Sequence, residues 1–314
     1  CLRKAVQIKP DYTEALFSLL QHSKETCTWH DFDTLSERAE QILKQELASG
    51  IKPSILVFNH LAHWDDPESN LAIAKAWAKA ESAKCKVQSA KSRLERGRGV
   101  LPLERGQGCV TIGYVSGDFR NHPVGHLISA VFGKHDRSRF KVIAYSFGRD
   151  DGSIYRKRVE RDCDQFTDIS TLSDQAAAER IRQDGVDILI DLMGQTRGSR
   201  MEIFALCPAP LQLTWLGYPG TSGAGFFDFL IADPIVIPQD STRFYSEKLA
   251  YMPHTYLITD NTQPISAKPI QRADVGLPEH AFVFCSFNRP YKIDPKLFDV
   301  WMSVLKQFRT ACCG

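Results

Sequence analysis

Apolar positions along this chain recur with two different spacings, and the change from one to the other divides it. In the first 85 residues the spacing is helical. Leu2, Ala5, Val6 and Ile8 share one face, Pro10 and Asp11 break the run, and Ala15, Leu16, Leu19 and Leu20 open a second helix. Phe32, Leu35, Ala39, Ile42, Leu43 and Leu47 predict an amphipathic helix over 31–49, closed by Gly50. Ile55–Asp66 reads as a short apolar segment and a polar loop, and Pro67, at a first helical turn, starts a helix running to about Cys85. Lys86–Gly108 is basic, contains glycine and has no period, as a linker would.

From Cys109 the pattern turns to short β-branched runs alternating with helical stretches. Strands are predicted at Val110–Ser116, Lys141–Phe147, Gln165–Asp168, Ile188–Leu192, Leu211–Trp215, Phe229–Ala232 and Glu247–Tyr251. Helices are predicted between them at Gly125–Gly133, Ser153–Arg161, Ser173–Asp184 and Ser199–Phe204. Runs such as ILIDL and FLIAD, apolar on both faces, suit an α/β domain with a parallel sheet covered on both sides. Residues 253–275, with Pro253, Pro264 and Pro269, read as a second linker. AFVFCSF is then a new strand and Asp294–Phe308 a new helix, the opening of a second α/β domain. At the other end, a helix closed by I-x-P-D and followed by E-A-L has the pattern of a junction between two tetratricopeptide repeats; a plain helical hairpin reads the same way. The organisation expected is therefore 1–22 as the end of a repeat region, 23–108 as helical lead-in and linker, 109–265 as the main lobe, and 274–314 as the start of a second.

Composition narrows the class. With 314 residues, 43% hydrophobic and 24% charged, the chain has the material for one or two cores and is too apolar for disorder. The net charge is only +2, and the basic clusters Lys84–Arg98 and Arg156–Arg161 are interrupted by acidic or apolar neighbours, which argues against nucleic acid as a partner. The nine cysteines are irregularly spaced with no Cys-x-x-Cys pair, the usage of free thiols in a reducing compartment. No run of 18 apolar residues and no signal-peptide core is present, so a soluble cytoplasmic protein without a membrane partner is expected. The chain opens without Met inside a helix and stops at RTACCG, and so reads as a piece of a longer protein.

Three strand exits carry the candidate chemistry. The first, Asp118–His126, puts Asp118, Asn121, His122 and His126 within nine positions. Pro123 favours a first helical turn, which sets His122 at the cap, where an imidazole can hydrogen-bond a hydroxyl or a phosphate. Asp118 could orient that ring or a sugar, or, with Asn121, only cap local amides; His126 reads better as packing on the sheet. The second exit, WLGYPGTSG, offers a backbone-rich loop around Gly217, Pro219, Gly220 and Gly223. Neither a G-x-x-x-x-G-K-[ST] loop nor a G-x-G-x-x-G fingerprint is present, which disfavours nucleotide hydrolysis and nicotinamide chemistry. The third, Ser286–Lys292, presents Arg289, Tyr291 and Lys292; a lysine there can balance charge on a departing diphosphate, or pair with Asp294 at the surface. Asp65 and Asp66 read as caps of the Pro67 helix, Asp150 and Asp151 as a turn, and the arginines of 156–161 as a solvated helix face; no carboxylate pair suits a glycosidase.

In order, GYVSGDFRNHPVGH, QLTWLGYPGTSG, YSEKLAYMPHTY and SFNRPYKIDP resemble the protein O-linked N-acetylglucosamine transferases, including their SPINDLY-like members. The resemblance covers nearly the whole chain. It implies a GT-B arrangement: a tetratricopeptide region, a Rossmann-like N-terminal lobe and a second lobe, here truncated. It implies inverting transfer of N-acetylglucosamine from its uridine diphosphate donor to Ser or Thr hydroxyls of intracellular proteins, with no metal or other cofactor. Acceptor proteins would be engaged through the repeats. By motif, His122 falls on the family's active-site histidine and Asp118 on the aspartate that opens that motif. Pro123, Gly217 and Pro219 fall where the first lobe lines the donor, Lys292 on the diphosphate lysine, and Arg289 on a nearby donor contact that is often Gln. Asn59, His60 and His63 all occupy the neighbourhood of a further family histidine. RTACCG departs from the apolar strand expected after KQF, and the fragment alone is expected to lack a complete donor cleft. A repeat-bearing scaffold and a sugar-nucleotide epimerase are the competing classes. The first leaves three polar strand exits unexplained, the second the repeat junction.

Overall fold

The computed structural model describes residues 1–84, 108–263, 265–308 and 311–313. All of the linker expected over Lys86–Gly108 except Gly108 lies outside these residues. The chain divides into two compact units, one made of Ser49–Asn261 and the other of Cys1–Ala48 with Thr262–Gly314.

The larger unit is built on seven strands: β1 (Val110–Ser116), β2 (Phe140–Ser146), β3 (Gln165–Asp168), β4 (Ile188–Asp191), β5 (Leu211–Thr214), β6 (Phe229–Ala232) and β7 (Lys248–Tyr251). Their order is β3-β2-β1-β4-β5-β6-β7, and every pair is parallel. Successive side chains of a strand point to opposite faces, and both faces are apolar here. Val115, Ile143, Tyr145 and Leu189 enter one core, and Ile112, Tyr114, Val142, Ala144 and Ile190 enter the other. Five helices of this unit, given in chain order with the numbers they carry below, are α4 (Val57–His63), α5 (Pro67–Lys84), α6 (Pro123–Ile128), α7 (Ile154–Asp162) and α8 (Asp174–Gln183); α9 (Met201–Ala205) follows. Ala78 of α5, Ala177, Ala178 and Ile181 of α8 and Ile203 and Phe204 of α9 cover the first face; Val124 and Ile128 of α6 and Val159 of α7 cover the second.

Three expectations are corrected here. Ile55–Asp66 is not a strand-like segment with a loop: its centre is the helix α4, because Val57 and His60 both turn inward and are buried. The arginines of 156–161 are not all at the surface. Arg156 is only 4% exposed; its Nη1 donates to Ser146 Oγ at 2.8 Å, and its guanidinium lies 4.2 Å from the Phe166 ring centroid. An arginine that reaches across its own helix in this way is invisible to a periodicity argument. Finally, the segment after Met252 begins as a strap folded onto the sheet. Tyr256 and Ile258 pack on the second core, Tyr256 N donates to Asp233 Oδ2 at 2.9 Å, Trp215 Nε1 donates to the Tyr256 carbonyl at 3.0 Å, and Arg158 pairs with Asp260.

The smaller unit joins α1 (Leu2–Ile8), α2 (Thr13–Glu25) and α3 (Phe32–Ala48) to β8 (Phe282–Phe284), a 3₁₀ turn at Pro290–Lys292, α10 (Pro295–Leu305) and β9 (Ala311–Cys313). Asp66 in the larger unit and Asp294 in this one do what helix caps do: Asp66 Oδ1 accepts from Ser69 N at 3.1 Å, and Asp294 Oδ1 from Leu297 N at 2.8 Å. Trp29 and Phe298 meet at 5.4 Å between ring centroids. Burial holds the Lys24 ammonium below its usual range, an effect that the carboxylate of Asp294 opposes. A hollow of about 350 Å³ is lined by Phe284, Cys285, Ser286, Trp301, Val304 and Leu305. The tail expected to break the fold instead pairs as β9, parallel to β8 with Phe282 opposite Ala311.

Candidate functional site

In an open parallel sheet the ligand crevice forms outside the carboxyl ends of the strands, where the strand order reverses. Here β1 is flanked by β2 on one side and β4 on the other, with chain direction across the sheet reversing between β1 and β4. Both strands end in polar loops. Val115 of β1 lies opposite Asp191 of β4, so the loop holding Asp118 and His122 and the loop 192–198 leave the sheet side by side.

The first loop is held by its own polar side chains. Asp118 is buried; its amide donates to Ser116 Oγ at 2.9 Å and its Oδ1 accepts from Arg120 Nη2 at 3.0 Å. His122 is the N-cap of α6, extended in backbone, with Pro123 at the first helical position as the sequence predicts. Its Nδ1 stands between two groups of opposite demand, the Val124 amide at 3.3 Å and Asp118 Oδ2 at 3.4 Å. With Nδ1 accepting from Val124, the ring proton is on Nε2; with the proton on Nδ1 and facing the carboxylate, Nε2 becomes the basic atom. Asp118 and His122 are thus brought together. Asn121 and His126 are structural. Asn121 N donates to Asp151 Oδ2 at 2.7 Å, which with the Ser153 hydroxyl holds that carboxyl down at about 2, and Asn121 Oδ1 meets His126 Nε2 at 2.8 Å. His126 does not pack on the sheet as expected, but lies on the Tyr155 ring at 4.1 Å between centroids.

The WLGYPGTSG loop abuts the β4 exit through backbone. A Cβ on Gly217 would stand 1.9 Å from the Leu192 carbonyl oxygen, and Leu216 before it takes φ 69°. Gly223, at φ 70°, brings its Cα over the backbone of α5, where a Cβ would meet Ala74 C at 2.2 Å. Gly217 is half-buried and Pro219 exposed. The Phe58 and Tyr218 rings lie 6.3 Å apart, so α4 borders this loop. Of the three α4 candidates, His60 is buried, bonded through Nδ1 to Asn70 and stacked on Trp64, whereas Asn59 and His63 are half-buried.

Three buried polar residues at this rim escaped the sequence reading. Asp191 accepts from Met193 N at 3.0 Å and Gly194 N at 2.8 Å; burial nevertheless raises its carboxyl to about 6. Gln195 and Glu247 both reach the loop at Ser222. Asp191 had one legible signal, an acid ending an apolar strand run. Gln195 and Glu247 sit in polar stretches that look solvated.

Arg289 and Lys292 belong to the smaller unit. Arg289 caps the 3₁₀ turn Pro290–Lys292, and both side chains are exposed. Asp294, the surface partner considered for Lys292, is engaged as the cap of α10. Among the described residues no group of three or more His, Cys, Asp or Glu could hold a metal ion, and no helix is long and apolar enough to cross a membrane.

This architecture has close counterparts. The model of glycosyl transferase family 41 matches residues 26–268 and 264–312. A probable UDP-N-acetylglucosamine–peptide N-acetylglucosaminyltransferase of Arabidopsis thaliana, SEC, is 37% identical over 299 residues, covering 92% of this chain and 30% of the relative. A UDP-N-acetylglucosamine–peptide N-acetylglucosaminyltransferase of Caenorhabditis elegans is 39% identical over 238 residues, 76% of this chain and 21% of that protein. A mutant of the Thermobaculum terrenum O-GlcNAc transferase superposes with a TM-score of 0.66 at 25% identity, over 99% of this chain and 63% of its own. The chain therefore spans less than a third of these curated relatives, and its parallel sheet with flanking helices is the GT-B-like core they share. With the family model matched along most of its length, the chain belongs to glycosyl transferase family 41.

Proposed function

We propose that this chain is the first catalytic lobe, with the opening of the second, of an enzyme that transfers N-acetylglucosamine from its uridine diphosphate donor to Ser or Thr hydroxyls of proteins. Transfer inverts the anomeric centre and uses no metal. The reading is carried by one observation: the Asp118–His122 pair caps the loop that leaves β1, at the point where the sheet reverses order. In this reading His122 faces the acceptor hydroxyl and Asp118 sets its ring. Pro123, Gly217 and Pro219 line the donor, with Arg289 as a further donor contact, and Lys292 neutralises the departing diphosphate. Helices α1 and α2 end a tetratricopeptide region that engages acceptor proteins, and the protein works in the cytoplasm. The names and family of its relatives support this assignment.

The test uses the full-length parent protein with a uridine diphosphate sugar and, in parallel, a guanosine diphosphate fucose donor, scoring sugar attached to an acceptor protein by mass spectrometry. N-acetylglucosamine transfer that yields the inverted anomer, survives a chelator and falls at least about 100-fold in His122→Ala supports the reading. Transfer of fucose alone, retention of configuration, or full activity in that variant rejects it.

A further inference from the structure

We infer that Glu247 is a positioning residue for the donor: it clamps the 221–223 end of the WLGYPGTSG loop and so fixes where Gly217 and Pro219 stand. The inference rests on the reading above that this loop lines the sugar nucleotide.

Glu247, just ahead of β7, is 5% exposed, and among the described residues no cation pairs with it. Burying an unpaired carboxylate is costly unless its lone pairs are filled. Three donors fill them, all from two residues of the loop. Oε2 accepts from Thr221 Oγ1 at 2.7 Å; Oε1 accepts from Ser222 N at 2.7 Å and from the Ser222 hydroxyl. From the other side, buried Gln195 of the β4 exit donates through Nε2 to the Ser222 carbonyl at 2.8 Å. The Ser222 peptide groups are thus gripped by side chains from two different strand connections.

The hydrogen-bond polarity explains why an acid stands here. Thr221 Oγ1 already receives the amides of Ser246 at 3.0 Å and Gly223 at 3.2 Å, and Ser222 Oγ receives that of Ala224 at 3.2 Å. Each hydroxyl has one proton left, and both point it at Glu247. Only an acceptor without hydrogens satisfies both. Glutamine, of the same size, would turn an N–H₂ toward an oxygen whose lone pairs are taken. The same clamp holds Gly223 over Ala74, at a φ of 70° where a side chain is strained.

The experiment compares Glu247→Gln, Ser222→Ala and, as a stability-matched control remote from the loop, Val159→Ala, all in the full-length parent and well below their melting temperatures. Glu247→Gln is expected to raise the donor KM about tenfold and to change kcat less than threefold; Ser222→Ala, the milder change, raises KM two- to threefold. Val159→Ala lowers the melting temperature with KM unchanged. If Glu247→Gln fails to fold, Ser222→Ala decides by the same KM criterion. A donor KM equal to wild type in the folded variants, whatever their melting temperatures, overturns the clamp. A wild-type parent that neither binds nor uses a sugar nucleotide overturns the functional reading itself, an outcome visible before any variant is made.

Discussion

The strand-exit rim of the larger unit and the loop after β8 in the smaller one contain the same kinds of residues and hold them in opposite ways. At the rim, each loop is fixed by its neighbours. Gly217 lies against Leu192, Gly223 against Ala74, and Asp191, Gln195 and Glu247 are buried acceptors or donors for backbone. In the segment Ser286–Lys292 the order comes from a single 3₁₀ turn, and Arg289, Lys292 and Phe287 are exposed, Phe287 at 97%. A group whose task is to stand at a set distance from a reacting atom benefits from packing; a cation that answers charge can do so from a long, mobile side chain. The difference teaches that stability and activity should separate cleanly between the two regions.

The sharpest way to break this contrast is Gly217→Ala. Its Cβ would meet the Leu192 carbonyl, and since backbone must yield, a loss of about 3–4 kcal/mol is expected, near 10 °C in melting temperature by calorimetry. A melting temperature within a degree of wild type would show the rim to be looser than described. Lys292→Ala tests the other side. Transfer by the full-length parent should fall about 100-fold, equivalent to about 2.7 kcal/mol in the barrier, with the melting temperature unmoved; comparable turnover in wild type and variant removes Lys292 from the reaction.

Asp191 sharpens the picture through pH. Burial raises its carboxyl to about 6, so between about pH 4 and 6 the folded state holds a proton that the unfolded state has lost. Stability is therefore highest at the acid end of that window, declines by at most about 3 kcal/mol as pH climbs to about 6, and levels off above it. Asp191→Asn should remove that decline, as thermal melts at half-unit pH steps would reveal; an unchanged slope assigns the decline elsewhere. The smallest effect is expected from Phe287→Ser, within about 0.5 kcal/mol in urea denaturation.

Much of this was legible in the chain. Strands β1, β3 and β6 fall at the predicted residues, because β-branched runs between polar breaks have few alternatives. The cap at His122 was legible for a local reason, Pro123 behind it. What escaped depends on partners distant in sequence. Nothing near Glu247 announces that its acceptors face Thr221 and Ser222, and nothing near Arg156 announces Ser146. His60 turns inward because Asn70 waits ten residues later. Polar residues are ambiguous in a pattern of apolar positions, so buried ones are missed as a class, and this rim is built from them.

The strap that follows β7 has a mechanical consequence. With Tyr256 tied to Trp215 and Asp260 to Arg158, whatever the chain carries after Asn261 is leashed to the rim at the residue that begins the glycine loop. A shorter leash raises the effective concentration of its cargo and narrows the region it can search. Cutting the Trp215 bond would lengthen it without touching a single group in the crevice.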